Sequence, residues 1–211
     1  MVGESGCGKS TLGRTIIRLL EATDGEVLLD GQDITHVRGR ELRRIHERCQ
    51  IIFQDPYSSL NARMSIASTI MEPLKNSGRF HGKKELREEA ARLMELVGID
   101  ERLRESYPHE LDGGRRQRVG IARALALGPD FVVCDEPVSA LDVSIQAQVL
   151  NLLMDLQEKL GMAYMFVTHD LSVVKHISDD IAVMYLGQLV EKCSKARLCL
   201  HRDCRTDHRE R

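Results

Sequence analysis

No apolar run in this sequence approaches the ~18–20 residues that a membrane-crossing helix needs. A spanning helix within its 211 residues is therefore excluded. The N-terminus lacks the basic-then-apolar pattern of a secretory leader. Charge of one sign is also lacking: 30 Lys and Arg stand against 32 Asp and Glu, for a net charge of −2. Such a balance gives no general attraction to nucleic acid. The local exception, Arg38 to Arg48, interleaves acids with Leu42 and Ile45 and reads as a solvated amphipathic helix. The six cysteines are scattered and show no disulfide framework, so reduced thiols are expected. Near the C-terminus, Cys193, Cys199, His201, Cys204 and His208 match no familiar zinc spacing, and no metal is expected there. Internal repeats and low-complexity segments are absent, and 42% hydrophobic residues suffice for a packed core.

What is present begins at once. Gly3 to Ser10, within "GESGCGKST", matches G-x-x-x-x-G-K-[ST], the loop that wraps a nucleotide's phosphates. Gly3, Gly6 and Gly8 let successive backbone N–H groups converge on the phosphates, and the following helix adds its positive end. Lys9 would reach the outer phosphates and the Ser10 hydroxyl would sit on Mg²⁺; Cys7 lies inside the loop and Thr11 directly follows it. Such a loop normally follows a buried strand, yet only Met1 and Val2 precede it.

Apolar spacing predicts a helix from Ser10 to Leu20 and two short strands around the Asp30–Gly31 turn. A buried strand at Gln50–Phe53 ends at Gln54. Helices are expected over 66–75 and 83–97, the second with Leu86, Ala90, Leu93 and Val97 on one face and Gly98 as its stop. A helix from Gly113 to Ala126 follows, then the apolar strand Phe131–Cys134 ending in Asp135–Glu136. A long helix over 143–160, a strand over 163–168 ending at His169, and strands over 181–185 and 188–191 complete the pattern. Strands alternating with helices imply an α/β fold, a mostly parallel sheet flanked by helices, with a helical insert. The expected divisions are a core over 1–55, a helical subdomain over 56–118, a second core part over 119–192 and a poorly ordered tail over 193–211.

Polar groups now end several strands: Gln54, Asp135–Glu136 and His169. In open parallel sheets ligands collect beyond the carboxyl ends of strands, where the phosphate loop also lies. Asp135 can hold the Mg²⁺ hydration shell opposite Ser10, and Glu136 can orient or deprotonate the water that attacks the γ-phosphate. His169, after an apolar strand, is a further catalytic candidate.

"GESGCGKST", "IIFQDP", "LDGGRRQRVGIARAL", "FVVCDEP", "SALD" and "VTHD" stand in the order and spacing of an ATP-binding cassette ATPase, which the chain resembles from Met1 to about Lys192. "DPYSSLNARM" and "YPHEL" look most like the ATPase subunits of oligopeptide and dipeptide importers; nickel and glutathione importers are similar there. The resemblance implies a P-loop NTPase with ATP and Mg²⁺ as ligands. It implies that Gln54 senses the metal and water, that Glu136 is the general base, that His169 is the γ-phosphate switch and that Asp142 communicates with a second subunit. It also implies head-to-tail pairing, in which Asp112, Gly113 and Gly114 close over the partner's phosphate loop. The further partners implied are membrane-spanning permeases and, indirectly, an extracytoplasmic substrate-binding protein, at the cytoplasmic face of the membrane.

Some departures bear on this. The family's usual "SGGQ" reads Asp112-Gly113-Gly114-Arg115, and its "SLNPR" has Ala62. Aspartate caps a helix as serine does but cannot donate a hydrogen bond; Arg115, on the same helical face, can neutralise it and donate instead. The family's central strand before the loop, its smaller antiparallel sheet and its adenine-stacking aromatic residue are expected to be missing, and the chain to be an incomplete copy of a longer protein. The competing readings are an inactive cassette fragment and a soluble cassette ATPase acting on nucleic acid. The latter would need coiled-coil arms or a second cassette, and the sequence has neither.

Overall fold

Residues 1–80 and 82–194 are described by a computed structural model. In chain order the elements are β1 (Val2–Gly3), α1 (Lys9–Ile16), β2 (Leu28–Leu29), β3 (Gln32–Asp33), α2 (Gly39–Arg48), β4 (Cys49–Ile52) and α3 (Pro56–Ser59). Then come α4 (Ile66–Ser77), α5 (Lys83–Leu96), α6 (Gly113–Leu125), β5 (Phe131–Asp135), α7 (Val143–Leu160), β6 (Ala163–Val167), α8 (Leu171–Ile177), β7 (Asp180–Tyr185) and β8 (Gln188–Ser194). Short 3₁₀ turns at Glu101–Leu103 and Pro108–Glu110 sit between α5 and α6. The chain divides into two compact units: Ser10–Val167, and Met1–Lys9 with the described residues from Thr168 onward.

The larger unit is built on the parallel sheet β4-β5-β6. Its middle strand is apolar without alternation because both faces are covered; Val132, Val133 and Cys134 have no exposed surface. Burial pushes the Cys134 thiol far above its ordinary range, as suits an unreactive core residue. Against the sheet packs an apolar cluster of Ile17, Ile34, Ile45, Cys49, Ile51 and Val133. The β2–β3 hairpin turns at Asp30 and Gly31, both left-handed at φ 52° and 78°, as the Asp-Gly pair predicts. Arg48 ties that turn to the entry of β5 by pairing with both Asp30 and Asp130.

Helix α2 keeps its basic residues in solvent and buries Ile45 alone. In α5, Leu86, Ala90, Leu93 and the following Val97 are buried as their spacing predicts, and Gly98 turns the chain away at φ 70°. Helix α1 is shorter than its apolar pattern suggests. It ends at Ile16, and Arg18 turns left-handed at φ 62°, leaving Leu19 and Leu20 exposed. The reason is a buried tie: the Arg18 guanidinium donates to the carbonyls of Ile34 and Val37. No apolar count anticipates that.

In the smaller unit, β1 pairs parallel with β7, which pairs antiparallel with β8. Val2, Val174, Ile181 and Cys193 form its core. Here the structure corrects the sequence expectation: Val2–Gly3 do form a strand leading into the loop, in register with Val183–Met184. The last strand also runs further than expected, to Ser194, so Cys193 and Ser194 belong to β8. Cys199, His201, Cys204 and His208 lie outside the described residues. Cys7, Cys49, Cys134 and Cys193 are buried free thiols. Counting both units, three of the five strand pairings are parallel, so the described sheets are mostly parallel. Among the described residues, no helix is long and apolar enough to cross a membrane.

Candidate functional site

The phosphate-loop residues Gly3 to Lys9 belong to the smaller unit. Gly3 sits so close to β7 that a Cβ there would lie 2.1 Å from the Met184 carbonyl oxygen, so no larger residue fits. Gly6 and Gly8 hold φ 80° and 97°, the left-handed turns that fold the loop back on itself. Gly187, at the β7–β8 turn, donates its N–H to the Cys7 carbonyl at 3.0 Å. Lys9 is 5% exposed, and its ammonium donates to the carbonyls of Gly3 (2.8 Å) and Glu4 (2.7 Å), with the Cys7 sulfur at 3.7 Å. A buried cation is thus held at the centre of a loop whose glycines bend its backbone around it. His169 lies in this same unit, exposed, between buried Thr168 and Asp170, the N-cap of α8.

The other site residues are in the larger unit. The next residue of α1, Ser10, donates its hydroxyl to Asp135 Oδ1 at 2.5 Å, and Asp135 is 3% exposed at the end of β5. Arg14, one turn along α1 from Ser10, lies 3.4 Å from the other Asp135 oxygen. Sequence reasoning did not single out Arg14; its i+4 spacing from Ser10 was the available signal. Beside Asp135, Glu136 takes a left-handed φ of 47°, costly for a residue with a Cβ. Its N–H donates to the Val167 carbonyl, and its own carbonyl accepts from the Ser139 N–H and hydroxyl. That locked backbone presents the Glu136 carboxylate to Gln54, whose Nε2 donates to Oε2 at 3.0 Å.

Ser10 and Asp135 offer hard oxygen atoms side by side. Mg²⁺ takes one or two such protein ligands beside phosphate oxygens and keeps several waters, so these residues fit it. No group of three or more His, Cys, Asp or Glu able to hold a metal by itself occurs among the described residues.

Asp112 caps α6, its Oδ1 accepting from the Arg115 N–H at 2.7 Å, while Arg115 Nε stands 3.4 Å from the other oxygen. Gly114 faces the start of α7, where Ile145 leaves no room for a side chain. Asp142 is the exposed N-cap residue of α7, but its side chain makes no cap hydrogen bond. Gly113, Gly114 and the 141–145 segment are therefore brought together, as are Gln54, Glu136, Asp135 and Ser10.

Residues 1–139 match the family model described as ABC transporter. The chain belongs to this family. It is 55% identical over 192 residues to the oligopeptide transport ATP-binding protein OppF of Bacillus subtilis, covering 90% of this chain and 63% of that protein. To AppF of the same organism, also an oligopeptide transport ATP-binding protein, it is 51% identical, covering 94% of this chain and 60% of the relative. It thus spans about three-fifths of these relatives' length. Among solved structures, the dimeric post-hydrolysis ATP-binding cassette MJ0796, bound to ADP and Pi, matches with a TM-score of 0.82 at 30% identity, over 92% of this chain and 83% of that one. CbiO1 of Clostridium perfringens, part of the ABC transporter complex cbiONQ, matches with a TM-score of 0.83 at 27% identity, over 95% and 78%. The α/β cassette fold read from the sequence is therefore this family's fold.

Proposed function

We propose that this chain is the ATP-hydrolysing subunit of a membrane importer for peptides, working as one of a head-to-tail pair of cassettes. The observation that carries the reading is a continuous polar line in the larger unit. Buried Asp135 accepts from Ser10, and adjacent Glu136, its backbone locked, accepts from Gln54. The oligopeptide transport names of the relatives support the cargo class, and the dimeric cassette supports pairing.

In this reading the N–H groups of Gly3, Gly6, Cys7 and Gly8, with Thr11, hold the phosphates, and Lys9 neutralises the outer ones. The Lys9 ammonium is held inside the loop by the Gly3 and Glu4 carbonyls. Ser10 and Asp135 hold Mg²⁺, which supplies charge stabilisation at the phosphates. Glu136 takes a proton from the water that attacks the γ-phosphorus; the bond to the β-phosphate oxygen breaks, giving ADP and phosphate. Gln54 orients Glu136 and that water, and His169 contacts the γ-phosphate. Asp112, Gly113 and Gly114 meet the partner cassette's nucleotide, and Asp142 meets the partner itself. ATP then joins the pair and hydrolysis releases it, a ligand-driven two-state change passed to the permeases at the cytoplasmic face. A substrate-binding protein outside takes part indirectly.

The test separates binding from chemistry. Glu136→Gln should keep ATP affinity while lowering phosphate release by about 10²-fold or more. Near-normal turnover in that variant removes Glu136 from the mechanism.

A further inference from the structure

Helix α6 opens with two arginines in its first turn, Arg115 and Arg116, where the positive end of a helix disfavours cations. Arg115 is accounted for by Asp112. Arg116 is accounted for elsewhere: its Nε donates to the Pro108 carbonyl at 2.8 Å, and its Cζ stands 4.9 Å from the centre of the Tyr57 ring. That ring belongs to α3, a single turn too short to persist by itself. At the other end of α3, Arg123 Nη1 donates to the Ser59 carbonyl at 2.6 Å, tying the C-terminal end of this turn to α6. Arg123 is half-buried, and its guanidinium pKa is pulled below its ordinary value by burial, partly offset by the charge of Glu72. The turn starts at Asp55, whose carbonyl accepts from the Ser59 N–H and whose side chain accepts from the Tyr57 N–H. Gln54, on Glu136, immediately precedes Asp55.

We propose that Arg116 and Arg123 are positioning residues that lash α3 to α6, so that Gln54 is kept on Glu136 only while α3 is seated on α6. The same helix carries Asp112–Gly114 at its start, so the strap makes the hydrolytic residue and the partner-facing turn respond as one body. The proposal deepens the function above and rests on it for its catalytic consequence.

The physical arm of the test is amide hydrogen exchange on the full chain. Arg116→Ala and Tyr57→Leu should raise exchange at the Tyr57 and Ser59 amides about threefold or more, leave β5 unchanged, and Tyr57→Phe should match the parent, because the ring alone makes the contact. The catalytic arm measures ATP turnover. Arg116→Ala and Tyr57→Leu should lower kcat about 3- to 5-fold with KM nearly unchanged. Tyr57→Leu should have no further effect in a Gln54→Ala background. Unchanged exchange at 57–59 overturns the strap, and a full additional loss in the Gln54→Ala background overturns its action through Gln54. If the parent chain hydrolyses no ATP, the proposed function fails while the exchange arm still decides the strap.

Discussion

Replacing Gly114 by alanine tests the packing that joins α6 to α7. A Cβ at Gly114 would lie 2.6 Å from Ile145 Cγ2, about 1 Å inside ordinary carbon–carbon contact at ~3.5–4.0 Å. Overpacking of this kind costs about 1–3 kcal/mol. The change also replaces glycine by the best helix former, worth about 1 kcal/mol in the opposite direction. The net effect of Gly114→Ala is then between about zero and 2 kcal/mol of destabilisation. The single variant is therefore uninformative, and the cycle with Ile145 decides. Ile145→Ala removes Cγ2, and in that background Gly114→Ala should stabilise by about 1 kcal/mol. The coupling is thus about 1–3 kcal/mol. Ile145→Val keeps a methyl at that place and should keep the penalty, which separates the contact from a general loss of volume. Urea unfolding of the parent, the single variants and the double variant, followed by circular dichroism, gives the coupling directly. A coupling below about 0.5 kcal/mol would refute the argument that Ile145 excludes a side chain at Gly114.

Asp112 and Arg115 should act as a pair in cassette dimerisation. A carboxylate and a phosphate charge ~5 Å apart repel by about 3 kcal/mol at an effective dielectric near 20, less in this exposed setting. Arg115→Gln alone should therefore weaken ATP-dependent dimers more than Asp112→Ser with Arg115→Gln, read by analytical ultracentrifugation with Glu136→Gln present; equal affinities would mean that the residues are uncoupled. Asp170 gives an acid-side prediction. Hydrogen bonds from the Ser172 hydroxyl and then its N–H hold this carboxyl below its ordinary range. A depressed folded-state pKa contributes stability that is full above the unfolded carboxylate range and is lost as pH falls through the lowered value. Asp170→Asn keeps a cap but does not titrate, so the parent's stability advantage over it should shrink between neutral and strongly acidic urea titrations. A constant difference would show that Asp170 contributes nothing through its charge.

Much of the larger unit was legible because its signals are local. The run Phe131–Cys134 announces a strand buried on both faces, the four- and three-residue spacing of Leu86, Ala90 and Leu93 a buried helical face, and Asp30–Gly31 a left-handed turn. The apolar run also set Asp135 at the end of β5, while its hydrogen bond from Ser10, 125 residues away, is a tertiary contact. Arg14, by contrast, was overlooked: surface arginines recur at i+4 spacing in many helices, and only a buried Asp135 at its end distinguishes this one.

The sequence by itself determined the family and most of the strands and helices of the larger unit, because spacing along one chain encodes these. Tertiary structure decided what depends on residues far apart in sequence. It ended α1 early by drawing Arg18 to the carbonyls of Ile34 and Val37, and it made a strand of Val2–Gly3 by pairing them with Val183–Met184. It also seated Tyr57 and Ser59 on the arginines of α6. An arginine's partner is fixed by where two backbones meet, and local periodicity carries no record of that meeting.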